Sequence, residues 1–170
     1  MPKKIIFIIG SSRSSGNTRK VLDFVNAEID APIINLSDRN FTPYDYEEKN
    51  LDDDFLTIIE EIIQYETIVF ATPVYWYAMS SQLKTFFDRF SDLVRTRKDL
   101  GRALAGKSTY LIATGTEETL PEGFEIPFKR SSEYMNMEYK GACFAYFKED
   151  LLVSDKVQKD VIIFRNSLLS

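Results

Sequence analysis

Residues 5–18 read IIFIIGSSRSSGNT. The first five, Ile5–Ile9, are all apolar, which predicts a strand buried on both faces, because a strand with one exposed face alternates apolar and polar residues. A loop with two glycines, four serines and an arginine follows, and the next stretch is amphipathic, which predicts a helix over Thr18–Glu28. A buried strand, a polar loop and a helix in this order begin a βαβ unit. The sequence therefore predicts a parallel sheet with helices on its faces.

The alternation of apolar runs and amphipathic stretches continues along the chain. Further strands are predicted over Pro32–Leu36, Thr67–Ala71, Ser108–Ala113 and Gly141–Phe147. Further helices are predicted from the acidic run at Asp52–Asp54 through Ile63, as one long segment over Met79–Arg97, over Glu122–Tyr134 with an interruption at Pro127, and over Val153–Leu168. We expect one α/β domain over residues 1–170, with a doubly wound five-stranded parallel sheet that binds its ligand where the strand order reverses.

The composition excludes several classes of function. The chain has 170 residues, a net charge of −5, one cysteine and no histidine. The acidic balance argues against nucleic-acid binding, and no apolar run reaches the length of a membrane span. Without histidine there is no Ser-His-Asp or Cys-His machinery, and Cys143 alone forms neither a metal cluster nor an intrachain disulfide. We expect a cytoplasmic protein without a metal site, whose chemistry comes from a cofactor rather than from a catalytic side chain.

The loop after the first strand has the composition of a phosphate site. Its hydroxyl groups, its backbone amides and Arg13 precede the positive end of a helix, and such groups suit a phosphate dianion. The glycines at positions 10 and 16 do not match the GxGxxG pattern of dinucleotide-binding folds. The alternative interpretation is a polar loop that only caps the helix.

Two later loops also have an unusual composition for strand ends. Tyr75, Trp76 and Tyr77 follow the third strand, and three consecutive aromatic side chains in a loop favour the covering of a flat ligand. The alternative is a surface cluster packed under a neighbouring loop or a second subunit. Thr114-Gly115-Thr116 follows the fourth strand and offers small side chains and backbone donors at which the edge of a ring can dock.

One motif is excluded by its context. Residues 101–108 read GRALAGKS, which matches the P-loop pattern GxxxxGK followed by serine or threonine. A P-loop lies between a strand and the helix that follows it, whereas here a helix precedes the motif and a strand follows. The sequence therefore does not predict binding of a nucleoside triphosphate.

Three segments together resemble a known family. They are Gly10-Ser11-Ser12-Arg13 with Gly16-Asn17-Thr18, then TPVYW at residues 72–76, and MSSQLKTFFDR at residues 79–89. In these residues the chain resembles the NAD(P)H-dependent FMN reductase and quinone reductase family of flavodoxin-like proteins, from the first strand through the fourth. The resemblance implies a flavodoxin-like sheet in the order 2-1-3-4-5, with helices on both faces and FMN as the cofactor.

The resemblance also implies which residues bind FMN. In that family the first loop holds the phosphate, which carries over to Ser11, Arg13, Ser15, Asn17 and Thr18. The second loop lies against the isoalloxazine ring, which carries over to Pro73, Val74, Tyr75 and Trp76. The third loop borders the ring edge, which carries over to Thr114, Gly115 and Thr116.

The function implied by the resemblance is hydride transfer from NADH or NADPH to FMN. The electrons then pass to a small-molecule acceptor such as a quinone, a free flavin or a nitro compound. The cofactor carries this chemistry, which agrees with a chain that lacks histidine. Two alternatives stay open: a flavodoxin-type electron carrier between protein partners, and a flavin-free protein that kept the fold for interaction.

A homodimer is also expected. The family resemblance suggests one, and the chain has more aromatic side chains near the predicted site than one small rim can bury. These residues are Trp76, Tyr77, Phe124, Phe128 and Tyr134.

Overall fold

The computed structural model of the chain describes residues 4–148 and 155–170. Its strands are β1 (Ile5–Ile9), β2 (Ile33–Asn35), β3 (Thr67–Pro73), β4 (Ser108–Gly115) and β5 (Glu138–Tyr146). Neighbouring strands pair in parallel, in the order β2-β1-β3-β4-β5. The predicted doubly wound sheet is confirmed, and its order reverses between β1 and β3, where ligands bind in such folds.

Seven α-helices lie within the described residues, and a short 3-10 helix at Leu36–Asp38 follows β2. The α-helices are α1 (Asn17–Asn26), α2 (Asp54–Ile62), α3 (Ser81–Asp88), α4 (Phe90–Arg95), α5 (Lys98–Ala103), α6 (Ile126–Tyr134) and α7 (Asp155–Leu169). The expected start of the closing helix at Val153 lies outside the described residues. In the part of the chain that the structure describes, no helix is both long and apolar enough to cross a bilayer.

The helices cover both faces of the sheet. Successive side chains of a strand point to opposite faces. Accordingly Ile6 and Ile8 of β1 pack in one core with α2 to α6, while the other three residues of β1 pack in a second core with α1 and α7. The uniformly apolar first strand is thus explained by burial on both sides.

The prediction of one long helix over Met79–Arg97 is wrong. The chain forms α3 and α4 there with a break at Arg89, and Met79 precedes both helices. Arg89 has a ψ of −10°, away from the helical value of about −42°, and the N–H of Asp92 donates to the Arg89 carbonyl over a three-residue step. The apolar periodicity does not register the break, because both helices bury side chains in the same core.

Pro127 does not interrupt the helix predicted over Glu122–Tyr134. Helix α6 begins later than predicted, and Pro127 lies in its first turn, where an N–H would have no partner within the helix. Phe124 and Phe128 are 4% and 1% exposed. They belong to the core of the chain, so their assignment to a subunit interface is wrong.

A buried ionic network holds the segment between β2 and α2 against the joint of α3 and α4. The side chain of Arg89 is fully buried, and its guanidinium donates to Asp92 Oδ2 at 2.6 Å and to Asp53 Oδ2 at 2.5 Å. It also donates to the carbonyl oxygens of Thr42 and Asn50, at 3.0 and 3.2 Å. The charge of Arg89 is therefore used within the protein.

Candidate active site

Three loops meet at the carboxyl edge of the sheet, after the neighbouring strands β1, β3 and β4. The N–H of Gly10 donates to the carbonyl of Ala71 at 2.9 Å, and the N–H of Val74 donates to that of Thr114 at 2.7 Å. These bonds continue the strand ladders to the base of the loops. The polar and aromatic segments that the sequence indicated therefore lie around one point, at the reversal of strand order.

The serine loop, residues 10–16, is held against the start of α3. The hydroxyl of Ser80 donates to the carbonyl of Gly10 at 2.8 Å and accepts from the N–H of Leu83 at 3.2 Å. A Cβ on Gly10 would lie 2.8 Å from the Cβ of Leu83, so only glycine allows this approach. The base of the serine loop is thus fixed, while its tip faces solvent.

The tip of the serine loop presents donors that the protein does not use. Arg13 is exposed, and its guanidinium makes no hydrogen bond or ion pair with another described residue. The buried hydroxyl of Ser11 lies 3.4 Å from the backbone N and O of Arg13. Gly16 is the N-cap of α1, and no side chain caps that end. A free guanidinium beside an uncapped helix N-terminus favours an anion.

The hydroxyl groups of two predicted site residues form a hydrogen bond with each other. Thr18 Oγ1 and Thr114 Oγ1 are 2.7 Å apart, and both side chains are 2% exposed. This hydrogen bond joins α1 to the end of β4. Their hydroxyl groups therefore stabilise the floor of the site, beneath the exposed donors.

The aromatic turn, Tyr75–Ala78, has an unusual backbone. Tyr75 and Ala78 exchange two backbone hydrogen bonds of 2.9 and 3.0 Å, and between them Trp76 and Tyr77 have φ of +48° and +65°. Two positive φ values define a type I′ turn, which normally takes asparagine and glycine rather than large aromatic residues. The hydroxyl of Tyr75 lies 3.2 Å from that of Ser12, a hydrogen bond that joins the aromatic turn to the serine loop.

Two adjoining cavities lie between these loops. The first cavity, of about 210 Å³, is lined by ten of the twelve predicted residues: Ser11, Arg13, Asn17, Thr18, Pro73, Val74, Tyr75, Thr114, Gly115 and Thr116. Trp76 lines the second cavity, of about 230 Å³, which shares Val74, Gly115 and Thr116 with the first. Ser15 is exposed and lines neither of the two.

Sequence reasoning missed two aromatic side chains at the site. Phe147 lines the first cavity and Phe144 lines the second. Phe144 lies near the end of β5, where Tyr146 pairs with Gly115, and Phe147 directly follows the strand. A Cβ on Gly115 would lie 3.2 Å from the ring of Phe144, so this glycine gives the ring its close approach. The predicted strand order could have indicated these two residues, because a fifth parallel strand ends at the same edge of the sheet.

A larger cavity, of about 800 Å³, lies between β5 and α7 and includes none of the twelve predicted residues. Cys143 borders it. Burial, together with the nearby charge of Asp160, raises the pKa of the Cys143 thiol to about 12. The sulfur therefore stays protonated near neutral pH and is a poor nucleophile. The strand ends, rather than the volume of a cavity, identify the site.

The P-loop-like motif lies at the opposite, amino edge of the sheet, between α5 and β4. Lys107 Nζ donates to the carbonyl oxygens of Ile63 and Tyr65, at 2.7 and 2.5 Å. These carbonyls come from the C-terminal end of α2 and the residues just after it. Lys107 is therefore engaged in joining α2 to β4, which agrees with the exclusion of a nucleotide site made from the sequence.

Comparison with known proteins identifies a matching family. Residues 3–120 match the family model described as NADPH-dependent FMN reductase. The chain is 32% identical over 148 residues to the Bacillus subtilis (strain 168) protein YwqN, which is named as an NAD(P)H-dependent FMN-containing oxidoreductase. That alignment covers 81% of this chain and 82% of YwqN.

Two further proteins are similar. The FMN reductase (NADPH) of Escherichia coli (strain K12) is 29% identical over 116 residues, which are 66% of this chain and 56% of that protein. The solved structure of the Trp repressor binding protein from Bacillus subtilis is 29% identical, with a TM-score of 0.74 and coverage of 98% of both chains.

Proposed function

The chain belongs to the NADPH-dependent FMN reductase family, and on that premise we propose which residues hold FMN and which acceptors receive its electrons. As a member of this family it is an NAD(P)H-dependent oxidoreductase with FMN as its cofactor. The proposal rests on one observation: the serine loop, the aromatic turn and the end of β4 border two adjoining cavities at the reversal of strand order.

The first cavity fits the phosphate end of FMN. The free guanidinium of Arg13 and the uncapped start of α1 supply positive charge and N–H donors for a dianion. We propose that Arg13 binds the phosphate with Ser11, Ser15 and Asn17, and that Thr18 supports them through its bond to Thr114.

The junction of the two cavities fits the ring end of FMN. Each cavity alone is smaller than the roughly 300 Å³ at which pockets for drug-sized ligands begin, and the two are joined along Val74, Gly115 and Thr116. FMN needs both. We propose that the isoalloxazine ring lies where the two cavities meet, against Pro73, Val74, Tyr75 and Trp76, with its edge at Thr114, Gly115 and Thr116. The outer part of the second cavity then stays open to an acceptor.

Bound FMN supplies the redox chemistry, since it takes a hydride from the nicotinamide and gives electrons to an acceptor. The chain binds and orients it. The Gly10–Ser80 and Thr18–Thr114 hydrogen bonds fix the bases of the loops. We propose no side chain as an acid, a base or a nucleophile. The proposed acceptors are small molecules: quinones, free flavins or nitro compounds.

We also propose a homodimer of single-domain chains in the cytoplasm, where NADH and NADPH are available. Of the aromatic residues expected at an interface, Tyr134 is 72% exposed and, together with Val94, lines a groove of about 400 Å³ between α4 and α6. A partner that covers this groove would bury apolar surface. Sedimentation equilibrium should give a dimer that Tyr134→Ser weakens, and a monomer at every concentration would contradict the dimer.

The activity is tested by anaerobic titration of the FMN-loaded protein with NADH and NADPH, followed by a panel of quinones, flavins and nitro compounds. We expect direct bleaching of the flavin absorbance by at least one nicotinamide and its recovery on addition of an acceptor. A flavin that neither nicotinamide reduces would contradict the proposal and favour the electron carrier. A protein that binds no FMN would favour a flavin-free interaction module.

A further inference from the structure

We propose that Glu117 selects the acceptor by charge, so that the outer part of the second cavity, beside the FMN ring, takes planar acceptors that are neutral or cationic and disfavours anionic ones. This inference rests on the proposed function, because it concerns the acceptor of the same site.

The walls of the second cavity suit a flat molecule. Trp76, Tyr77 and Phe144 line it, and the first two project from the aromatic turn. Trp76 is 94% exposed, so most of its ring is available to a ligand at the mouth. Aromatic faces attract planar rings and cations alike. The chemistry of the walls therefore favours an aromatic acceptor and tolerates a positive charge on it.

The charge at this end of the site is negative. Among the described residues that line the two cavities, the charged ones are Arg13 in the first and Glu117 in the second. Arg13 lies on the serine loop, where the phosphate of FMN would use its charge. An acceptor at the second cavity thus meets a carboxylate with no cation among the residues around it.

The adjoining sequence strengthens this polarity. Residues 116–128 contain four glutamates and neither lysine nor arginine. This segment follows β4 and supplies Thr116, Glu117, Thr119 and Pro121 to the cavity wall. A sulfonate or carboxylate on the acceptor would therefore be repelled. Because Glu117 is exposed, water and salt screen the repulsion, and we expect a discrimination of about tenfold rather than an absolute barrier.

The test compares three planar probes on the FMN-loaded protein without NAD(P)H. They are a neutral naphthoquinone, the corresponding naphthoquinone sulfonate and the N-methylphenazinium cation, and their dissociation constants are measured by calorimetry. The variants are Glu117→Gln and, as the matched control, Glu118→Gln. Glu118 has the same charge but borders the larger cavity between β5 and α7.

We expect the wild type to bind the neutral quinone about tenfold more tightly than the sulfonate in low salt. Glu117→Gln should lower this ratio about fivefold and lower the preference for the cation, whereas Glu118→Gln should leave the ratio within about twofold of the wild type. Added salt should reduce the ratio of the wild type more than that of Glu117→Gln.

Equal affinity of the wild type for the neutral and anionic quinones would overturn the inference. So would an equal effect of the two glutamine variants, or no binding of any probe. Reduction of the flavin by NAD(P)H is measured separately in the absence of probe. A protein that discriminates between the probes but is not reduced would keep the charge selection and contradict the proposed function.

Discussion

Two arginines of this chain have opposite surroundings. Arg89 is buried at the joint of α3 and α4, where two carboxylates and two backbone carbonyls accept its hydrogen bonds. Arg13 stands exposed on the serine loop, and its guanidinium has no partner among the described residues. The partners of a charge, rather than its residue type, therefore distinguish a stabilising arginine from one that is available to a ligand.

The largest effect is expected from removal of the buried charge. Arg89→Met leaves Asp53 and Asp92 buried without their cation, and breaking a buried pair in this way costs about 3–5 kcal/mol. A urea titration followed by far-UV circular dichroism measures the free energy of unfolding. A loss below about 1 kcal/mol would contradict the structural role of Arg89.

The pH dependence of the same variant gives a second readout. Burial acts to raise the pKa of Asp53, but hydrogen bonds from Arg89 and from the backbone N–H groups of Thr42 and Phe55 outweigh it, so this pKa lies below the ordinary 3.8. A carboxyl with a lowered pKa stabilises the fold above its unfolded pKa, and this share is lost as the pH falls through the folded pKa. The wild type should therefore lose stability below about pH 4, and Arg89→Met should lose less over the same range.

The second effect concerns the ligand rather than the fold. Arg13→Ala removes a charge-assisted hydrogen bond of about 1.5–3 kcal/mol. The dissociation constant of FMN, measured by quenching of flavin fluorescence, should therefore rise about tenfold or more. Riboflavin, which lacks the phosphate, should bind as it does to the wild type. The control is Arg19→Ala on α1, whose arginine pairs with Asp23 at 2.7 Å. Equal losses for FMN and riboflavin would contradict the phosphate assignment.

A smaller effect is expected from the P-loop-like lysine. Lys107→Met removes the bonds to Ile63 and Tyr65 and should cost about 1–2 kcal/mol of the free energy of unfolding. FMN affinity should not change, because Lys107 lies at the amino edge of the sheet. A tenfold loss of FMN affinity in this variant would contradict the purely structural role of Lys107.

The smallest effect has the opposite sign. Tyr77→Gly removes the backbone strain of a residue with a side chain at φ +65°. After subtraction of the conformational entropy that glycine loses on folding, the free energy of unfolding should rise by about 0.5–1 kcal/mol. Tyr77→Ala keeps the strain and loses the ring, so it serves as the control. We expect the glycine variant to be more stable than the alanine variant, while both bind the naphthoquinone less tightly than the wild type. No difference between their melting temperatures would show that the turn is unstrained.

Much of the fold follows from patterns that are local in the sequence. Strands β1, β3 and β4 are largely apolar runs, helices α1 and α2 are amphipathic, and parallel strands bring their carboxyl ends to one edge. The first cavity could be anticipated for the same reason, because its lining comes from loops that directly follow strands.

What the sequence missed depends on contacts between distant segments. The break lies at Arg89, the residue whose side chain bonds to Asp53 and to the loop before α2, and no periodicity records these contacts. Phe144 reaches the site only because β5 pairs with β4. Phe124 and Phe128 have the composition of an interface, and only the packing of α6 on the sheet shows that they are core residues.

Trp76 is the only tryptophan of the chain, and its indole is already in water in the folded protein. Unfolding therefore changes its surroundings very little, so intrinsic tryptophan emission is a poor measure of folding here. A molecule that enters the second cavity covers the same indole and alters its emission. Tryptophan emission of this protein should therefore respond to a molecule in the second cavity and change little when the core unfolds.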